Sequence, residues 1–304
     1  MVVTRSLCLL TAIALTGCGG TNSVFFRGGY MPFQSWSAVP ANAQVELEGS
    51  AVAADTTQAL NNNTNAKDGN DDGPITAAGT TGPQPVTAQL RIESGALTSM
   101  EFTTGGTTAG VSTADGTITA TDPIVAQTTA TADRTRIRTA NPYNNGFEYQ
   151  NYGAWVTGLN SGSGTIGAGT TGVKTTTTQT ADGTYMGNSL GIAVDKTTGE
   201  LWETQSTVAV TTSQNFTKAE ISSSGTSGER LNAAAGLAPL GDLDFSSTAP
   251  ADIANNGFIA TIDGTEVSGT SQGTFYGQFA PEVGGTFDSS TANWNYIGSY
   301  GAVK

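Results

Sequence analysis

The chain has 304 residues, with 25 acidic and 12 basic side chains, a formal net charge of −13 and no histidine. The small number of basic residues argues against nucleic acid as a partner, because phosphate binding needs clustered Lys and Arg. Without histidine, the chain cannot form a Ser-His-Asp or Cys-His catalytic system, a His-based zinc site or the usual proximal haem ligand.

The first 17 residues have the pattern of a secretory signal peptide. Arg5 gives a positive start, residues 7–15 are mostly apolar, and Leu-Thr-Gly precedes Cys18. The sequence Leu-Thr-Gly-Cys resembles the lipobox of bacterial lipoproteins, in which the cysteine is lipidated after cleavage. We therefore expect a signal peptide over 1–17, lipidation at Cys18 and a membrane anchor made of acyl chains. Gly19 follows the cysteine in place of Asp, which by analogy with lipoprotein sorting favours the outer membrane.

Residues 18–43 are expected to form the lipidated tether and an aromatic segment. The aromatic residues of this segment are Phe25, Phe26, Tyr30, Phe33 and Trp36. Large aromatic side chains favour burial against the following domain over exposure as a sticky patch. The only other cysteine, Cys8, lies inside the signal peptide, so the mature chain is expected to have no disulfide.

Residues 44–140 are predicted to form a smaller β-rich region that resembles a handle. Apolar and charged residues alternate at 45–49, as is typical of a half-buried strand. Residues 55–85 have few large apolar groups and many Asn, Asp, Gly, Thr and Pro, which predicts a long disordered loop. The acidic pattern at 68–73 is similar to the opening of a calcium loop. However, Gly79 stands where the closing Glu of an EF-hand would be, so we predict an acidic turn and no metal site.

Further strand-like segments follow in this region, at 86–92, 97–102 and 111–119. The Ala-Asp-Gly sequence at 114–116 predicts a hairpin inside the last of them. A basic, strand-like run then carries Arg134, Arg136 and Arg138. In an acidic protein these arginines are expected to pair with nearby carboxylates on a solvated face, and ligand binding is the alternative.

From Phe147 to the end, about eight strand-like segments alternate with polar turns, and no long amphipathic helix is evident. The segment 159–172 is predicted to be a loop, and a short helix is possible near 231–237. The Asp-Gly pair at 263–264 predicts a type I′ hairpin turn. Antiparallel strands must protect their edges, and closure into a barrel removes the edges altogether. The fold class is therefore predicted to be all-β, with a two-sheet sandwich as the alternative to a barrel.

The end of the chain contains three spaced motifs in order. They are Gly-Thr-Phe-Tyr-Gly at 273–277, Ala-Pro-Glu-Val-Gly-Gly-Thr-Phe at 280–287 and Gly-Ser-Tyr-Gly-Ala-Val-Lys at 298–304. Together they resemble the end of the β-barrel domain of transferrin-binding protein B and its relatives. The chain departs from that pattern at Tyr300, where the family has Phe, and at Val303, which is inserted before the final Lys. The Tyr-Gly-Ala-Trp sequence at 152–155 is similar to an early barrel element of the family.

The resemblance implies a fold and a function. It implies a C-terminal antiparallel barrel of about eight strands over 141–304, preceded by the handle-like region. It also implies a surface-exposed outer-membrane lipoprotein that binds an extracellular iron source, with an outer-membrane transporter as a partner. The motif residues themselves are expected to close and fill the barrel, since Gly permits close backbone approach and aromatic rings supply packing volume.

The ligand-binding residues are left open at this stage. If haem were the ligand, Tyr143, Tyr149 or Tyr152 could supply an axial oxygen, and the three arginines could pair with the propionates. No spacing of carboxylates singles out a catalytic pair, so enzyme activity and a resident cofactor are not predicted. Two other functions remain as alternatives. One is a structural or envelope-associated lipoprotein without a soluble ligand, and the other is a carrier that holds a small ligand inside its barrel.

Overall fold

The computed structural model describes residues 29–59, 73–130, 133–231 and 237–304, which fold almost entirely into β-strands. Eleven strands form the first sheet: β1 (Met31–Pro32), β2 (Ala43–Gln58), β3 (Ile75–Ala77), β4 (Thr81–Glu93), β5 (Ala96–Thr104), β6 (Thr107–Ser112), β7 (Gly116–Thr119), β8 (Ile124–Thr128), β9 (Arg134–Thr139), β10 (Gln150–Leu159) and β11 (Ser163–Gly172). Ten strands form the second sheet: β12 (Gly183–Asp195), β13 (Leu201–Ser213), β14 (Lys218–Arg230), β15 (Ala238–Pro239), β16 (Ser246–Ser247), β17 (Ala251–Ala254), β18 (Gly257–Asp263), β19 (Ser268–Tyr276), β20 (Glu282–Ser290) and β21 (Trp294–Val303).

Helical structure is limited to short pieces in the described part of the chain. These are the four-residue helix α1 (Pro142–Asn145) and two 3-10 turns, Trp36–Ala38 and Gly241–Leu243. No helix among the described residues is long and apolar enough to cross a bilayer. Several sequence predictions fall outside the described residues. They are the signal peptide with Cys18, the aromatic residues Phe25 and Phe26, most of the acidic pattern at 68–73, and most of the possible helix near 231–237.

The second sheet closes on itself as an eight-stranded antiparallel barrel, as the sequence predicts. β12 pairs with both β13 and β21, β13 pairs with β14, and β18 to β21 pair in sequence order. The short strands β16 and β17 both pair with β14 and β18, so together they fill the remaining position. Closure confirms the barrel and excludes the two-sheet sandwich for this part of the chain.

Alternating side chains fill the interior of this barrel. On β18, Phe258, Ala260 and Ile262 are buried, while Ile259 between them is 68% exposed. Aromatic rings meet inside the barrel, with 4.6 Å between the ring centroids of Phe216 and Phe275. A second pair, Phe287 and Tyr296, lies at 4.9 Å. An interior filled in this way argues against a carrier that holds a small ligand inside this barrel.

The first sheet is curled but is not closed by hydrogen bonds. Its strand order is β6-β5-β4-β2-β11-β10-β9-β8-β7, with β1 and β3 both paired to β2. The 114–116 segment connects β6 to β7, which lie at opposite ends of this order. The predicted hairpin is therefore wrong, because β6 pairs with β5 and β7 pairs with β8. The turn instead spans the gap between the two edges of the sheet, held by Asp115, which accepts hydrogen bonds from the backbone N–H and Oγ of Ser112.

Two segments that the sequence assigns to loops are strands. Residues 163–172 form β11, which pairs with β2 and β10. The small residues there leave room for a ring, because a Cβ on Gly167 would collide with the indole of Trp155 across the strand pair. Within the predicted 55–85 loop, residues 55–58, 75–77 and 81–85 belong to β2, β3 and β4, and residues 60–72 lie outside the described part.

Strand pairing also differs from the sequence-based division of the chain. The predicted barrel region, 141–304, includes β10 and β11, but both strands are hydrogen-bonded into the first sheet. From there they pack face to face against β20 and β21 of the barrel.

The turn at 263–264 also differs from the predicted type I′ hairpin turn. The pairing of Asp263 with Ser268 leaves a four-residue loop between β18 and β19, and the strand pair itself is as predicted.

Candidate functional site

An apolar cavity of about 270 Å³ opens at one end of the first sheet, and we call it the aromatic cavity. Its walls come from the segment before β2, the end of β4, the starts of β5 and β8, part of β7, and α1. The apolar side chains in its wall include Trp36, Val39, Leu90, Ile92, Leu97, Ile118, Ile124 and Tyr143. Among the described residues no charged side chain lines it, so its chemistry suits apolar and aromatic groups.

Trp36 forms the fixed base of the aromatic cavity. The indole is 4% exposed, and its Nε1 donates a 2.7 Å hydrogen bond to the backbone oxygen of Gln150. The ring also contacts Phe33, at 4.8 Å between centroids. Burial of Phe33 and Trp36 confirms the prediction for these two aromatic residues, whereas Tyr30 is 40% exposed.

Tyr143 forms the exposed rim of the same cavity. Its ring is 68% exposed and meets Trp36 edge-on, at 6.3 Å between centroids. The residue sits in α1, which begins with Pro142 at its first position and ends at Gly146 in the left-handed conformation. An exposed tyrosine beside a buried tryptophan is the composition typical of binding hot spots at protein interfaces.

Two of the three predicted arginines, Arg136 and Arg138, lie between the two sheets and not on a solvated face. Arg136 Nε lies 2.8 Å from Glu203 Oε1 of β13, and Glu203 is 2% exposed. Arg138 donates a 3.0 Å hydrogen bond from Nη2 to Gln205 Oε1, and its Nε lies 3.8 Å from Glu203 Oε2. Burial lowers the pKa of the Arg138 guanidinium, an effect that Glu203 opposes. The expected pairing with a carboxylate is present, and it connects the first sheet to the barrel.

The three predicted tyrosines occupy three different environments. Tyr143 lines the aromatic cavity, as described above. Tyr149 is half-buried, and its ring occupies the space that a Cβ on Gly277 would need. Tyr152 is 2% exposed and packs edge-on to Phe147 at 5.8 Å. Burial raises the pKa of the Tyr152 hydroxyl, which disfavours the phenolate form that would bind haem iron. Arg134 begins β9, where its backbone pairs with Leu159.

Part of the C-terminal motif lies at the junction between the two sheets. The Glu282 carboxylate, 3% exposed, accepts hydrogen bonds from the backbone N–H groups of Glu148 at 2.6 Å and Tyr149 at 3.1 Å. Burial raises the pKa of Glu282 to about 7, and those two hydrogen bonds oppose the rise. Gly284 and Gly301 face the first sheet directly. The motif therefore fills the barrel with Phe275 and Phe287, as expected, and also holds the two sheets together.

Sequence reasoning missed Glu203 and Gln205, which sit on β13 two residues apart. Strand alternation places both on the face of β13 that meets Arg136 and Arg138. The available signal was Glu203, a charged residue inside a segment that reads as a strand. It gave no indication of its partner, because β9 and β13 are distant in sequence and belong to different sheets.

Comparison with known families gives one match to a family model. The model described as the C-lobe and N-lobe beta barrels of Tf-binding protein B matches residues 142–304, more than half of the chain. The chain belongs to this family. The match begins at α1 and includes β10 to β21, so the transferrin-binding protein B family model covers the whole closed barrel and the two strands that pack on it.

Solved structures with a similar chain course include relatives from several bacteria. Transferrin-binding protein B from Haemophilus parasuis is 10% identical over 85% of this chain and 76% of its own, with a TM-score of 0.42. The isotype 1 protein from Neisseria meningitidis is 10% identical over 87% and 77%, with a TM-score of 0.36. HpuA from Kingella denitrificans is 11% identical over 88% of both chains, with a TM-score of 0.38. No curated protein matches in sequence, and the family assignment rests on the family model alone.

Proposed function

We propose that the protein is a lipid-anchored outer-membrane protein that is exposed at the cell surface and binds an extracellular iron source. The observation that carries this proposal is membership in the family of transferrin-binding protein B barrels. Relatives in that fold group include an HpuA whose structure was solved with human haemoglobin bound. An iron-carrier protein is the proposed ligand class, and an outer-membrane transporter is the proposed recipient of the iron.

The aromatic cavity supports a protein ligand over free haem. Tyr143 offers an exposed ring on a rigid base, and the cavity behind it accepts apolar side chains of a partner. Haem binding through a tyrosine would need a phenolate near the arginines. Tyr152 is buried in its neutral form, and Arg136 and Arg138 are already engaged with Glu203 and Gln205. We therefore place the contact with the iron carrier at Tyr143 and Trp36.

A binding assay with two matched variants tests this proposal. The protein is purified in detergent with its anchor, immobilised, and exposed separately to haem, haemoglobin and transferrin. We expect saturable binding of one carrier protein, and a loss of at least tenfold in affinity for Tyr143→Ala. Phe279→Ala, a 64% exposed aromatic residue on the barrel, is the control and should bind as the wild type does. Failure to bind any of the three, or equal binding by both variants, would contradict the proposal.

Surface display needs its own test. Protease added to intact cells should degrade the protein, while a periplasmic marker in the same cells stays intact. Complete protection of the protein under conditions that degrade a known surface protein would rule out surface exposure. Such a result would favour an envelope-associated lipoprotein without a soluble ligand.

A further inference from the structure

A second cavity, of about 250 Å³, lies between the first sheet and the barrel, and we call it the polar cleft. It shares no lining residue with the aromatic cavity. Asp122 and Asn145 line it from the side of the first sheet, and Asn188, Gln205 and Ser206 line it from the barrel. Asn188 is exposed and Ser206 is 5% exposed, so the cleft runs from the surface into the junction.

The amide groups on one side of the polar cleft are held by a chain of hydrogen bonds. Asn145 Nδ2 donates to Asp122 Oδ1 at 2.9 Å, and Asn188 Nδ2 donates to Asn145 Oδ1 at 3.3 Å. Asp122 also accepts from the backbone N–H of Asn141 at 3.3 Å. The carboxylate is thus used to orient the amides. Within the described residues the side-chain oxygen of Asn188, Oδ1, has no partner, so it is left as an acceptor for a ligand.

The opposite side presents an amide donor that a buried cation orients. Arg138, 9% exposed, donates from Nη2 to Gln205 Oε1 at 3.0 Å. Because the carbonyl oxygen of Gln205 is occupied by the guanidinium, its NH₂ group remains as the donor available to the cleft. The hydroxyl of Thr207, which shares a face of β13 with Gln205, can donate or accept, whereas Ser206 Oγ is engaged with Ser189 Oγ at 2.6 Å.

A β-bulge shapes this wall of the cleft. The β13–β14 register shifts between Gln205 and Thr207, and Gly225 opposite has a φ of 66°. The two amides freed by the bulge are satisfied by Asp244, which accepts from Gly225 N–H at 3.0 Å and from Thr226 N–H at 2.8 Å. Bulges of this kind re-aim side chains and are frequent beside functional sites. The hydrogen bonds to Asp244 therefore hold the bulge in place in this wall of the cleft.

We propose that the polar cleft binds a neutral, polyhydroxylated ligand, namely one sugar unit of a glycan. Sugar hydroxyls both donate and accept, which matches the Gln205 donor, the Asn188 acceptor and the Thr207 hydroxyl in the same wall. Among the described residues that line the cleft, Asp122 is the only charged one, and its Oδ1 accepts from the Asn145 amide and the Asn141 N–H, so the wall fits a neutral ligand better than an anion. The volume is near the small end of the range for ligand pockets, which suits a single monosaccharide. This inference is independent of iron binding.

Saturation-transfer NMR on the full lipoprotein in detergent tests the inference. The probes are galactose, glucose, mannose and N-acetylglucosamine, with anionic N-acetylneuraminic acid for comparison. We expect a saturable signal from at least one neutral sugar. Asn188→Ala and Gln205→Ala should each weaken binding about fivefold, through the loss of one hydrogen bond. Gln278→Ala, an exposed amide on the barrel outside the cleft, is the matched control and should leave binding unchanged.

Three results would overturn the inference. They are the absence of any neutral-sugar signal, a signal that is equal in all the variants, or a signal from the anionic sugar alone. Thermal unfolding of each variant shows whether a loss of signal is a loss of fold. Because carrier binding is assigned to Tyr143, the Tyr143→Ala variant should keep its sugar signal, and this separates failure of one proposal from failure of the other.

Discussion

Glu203 is a buried carboxylate shared by two arginines across the junction of the sheets. Its Oε1 lies 2.8 Å from Arg136 Nε, and its Oε2 has no hydrogen bond and lies 3.8 Å from Arg138 Nε. A buried ion pair adds little net stability over an apolar pair, but removal of one partner leaves the other charge without compensation. The pairing therefore makes Glu203 more costly to replace than any exposed acidic residue.

Replacement of Glu203 tests this reasoning directly. Glu203→Gln keeps the size of the side chain but removes the carboxylate that the two buried guanidinium groups share, so we expect the free energy of unfolding to fall by about 3 kcal/mol. Urea denaturation measures the change. Glu220→Gln, at an exposed position on β14, is the control and should change stability by less than about 0.5 kcal/mol. Equal urea midpoints for the two variants would contradict a structural role for the ion cluster.

At the scale of elements, close packing of β21 on β10 depends on a missing side chain. A Cβ on Gly301 would lie 2.5 Å from Cδ1 of Tyr152 and 2.9 Å from Cζ of Phe147. Both rings are buried and in contact with each other, so neither can move aside freely. Gly301 of the final motif is therefore needed because two rings packed from the first sheet occupy the space of a side chain.

Gly301→Ala is expected to destabilise the protein by about 1–3 kcal/mol through overpacking. Gly82→Ala is the control, because Gly82 lies in β4 with no atom within 4 Å of an added Cβ. Thermal unfolding monitored by near-UV circular dichroism should show a lower midpoint for Gly301→Ala only. If both variants melt together with the wild type, the two sheets are not packed as tightly as described.

The elements differ in how far local sequence determines them. The alternation at Phe258, Ala260 and Ile262 predicts β18 correctly, because its period is a local property of a half-buried strand. The strand at 163–172 could not be predicted in this way. Its glycines match a loop by composition, but Gly167 leaves room for the ring of Trp155, and Gly164 and Gly172 lie against neighbouring backbone. The Asp-Gly pair at 263–264 likewise gives the strand pair but not the loop length.

The candidate site shows the same division. Aromatic residues of the N-terminal segment could be expected to be buried, since large apolar groups seek a core. The contact between Trp36 and Tyr143 could not be expected from the sequence, because it joins two segments that are distant in the chain. The arginines were identified as a group, but their carboxylate partner, Glu203, lies on a strand of the other sheet. Non-local contacts between sheets are the part that the sequence leaves open.

At the scale of the whole molecule, Glu282 makes the joint between the sheets sensitive to pH. Burial raises its pKa in the folded state to about 7, from an ordinary value of 4.5. The folded state thus favours the protonated form. The stability that comes from protonated Glu282 is fully present below pH 4.5 and is lost as the pH rises through about 7. The loss is on the order of 3 kcal/mol.

The wild-type protein should therefore lose stability between pH 5 and pH 8 to a greater extent than Glu282→Gln, which cannot ionise. Urea midpoints at several pH values measure the two slopes. Glu48→Gln, at an exposed position on β2, is the control and should keep the wild-type slope. A Glu282→Gln variant with the same pH dependence as the wild type would show that Glu282 does not titrate in this range.

Membrane attachment is also a property of the whole molecule, and we propose that it depends on Cys18. Several acyl chains, each contributing about 0.8 kcal/mol per buried methylene, hold a protein on a bilayer almost permanently. Cys18→Ser removes the thiol that accepts the lipid, so the variant should leave the membrane fraction and partition into the aqueous phase of a detergent separation. Persistence of Cys18→Ser in the membrane fraction would contradict a lipid anchor at this residue.

The most direct test of the central claim is the binding of labelled iron carriers to intact, iron-starved cells. Fluorescent haemoglobin and transferrin are applied to cells with the gene, without it, and with the gene restored as wild type or as Tyr143→Ala. We expect saturable binding of one carrier to cells that have the gene and none to cells that lack it. Binding should return when the wild-type gene is restored, but not when Tyr143→Ala is restored. Binding that is equal with and without the gene would contradict a role in the capture of an iron source.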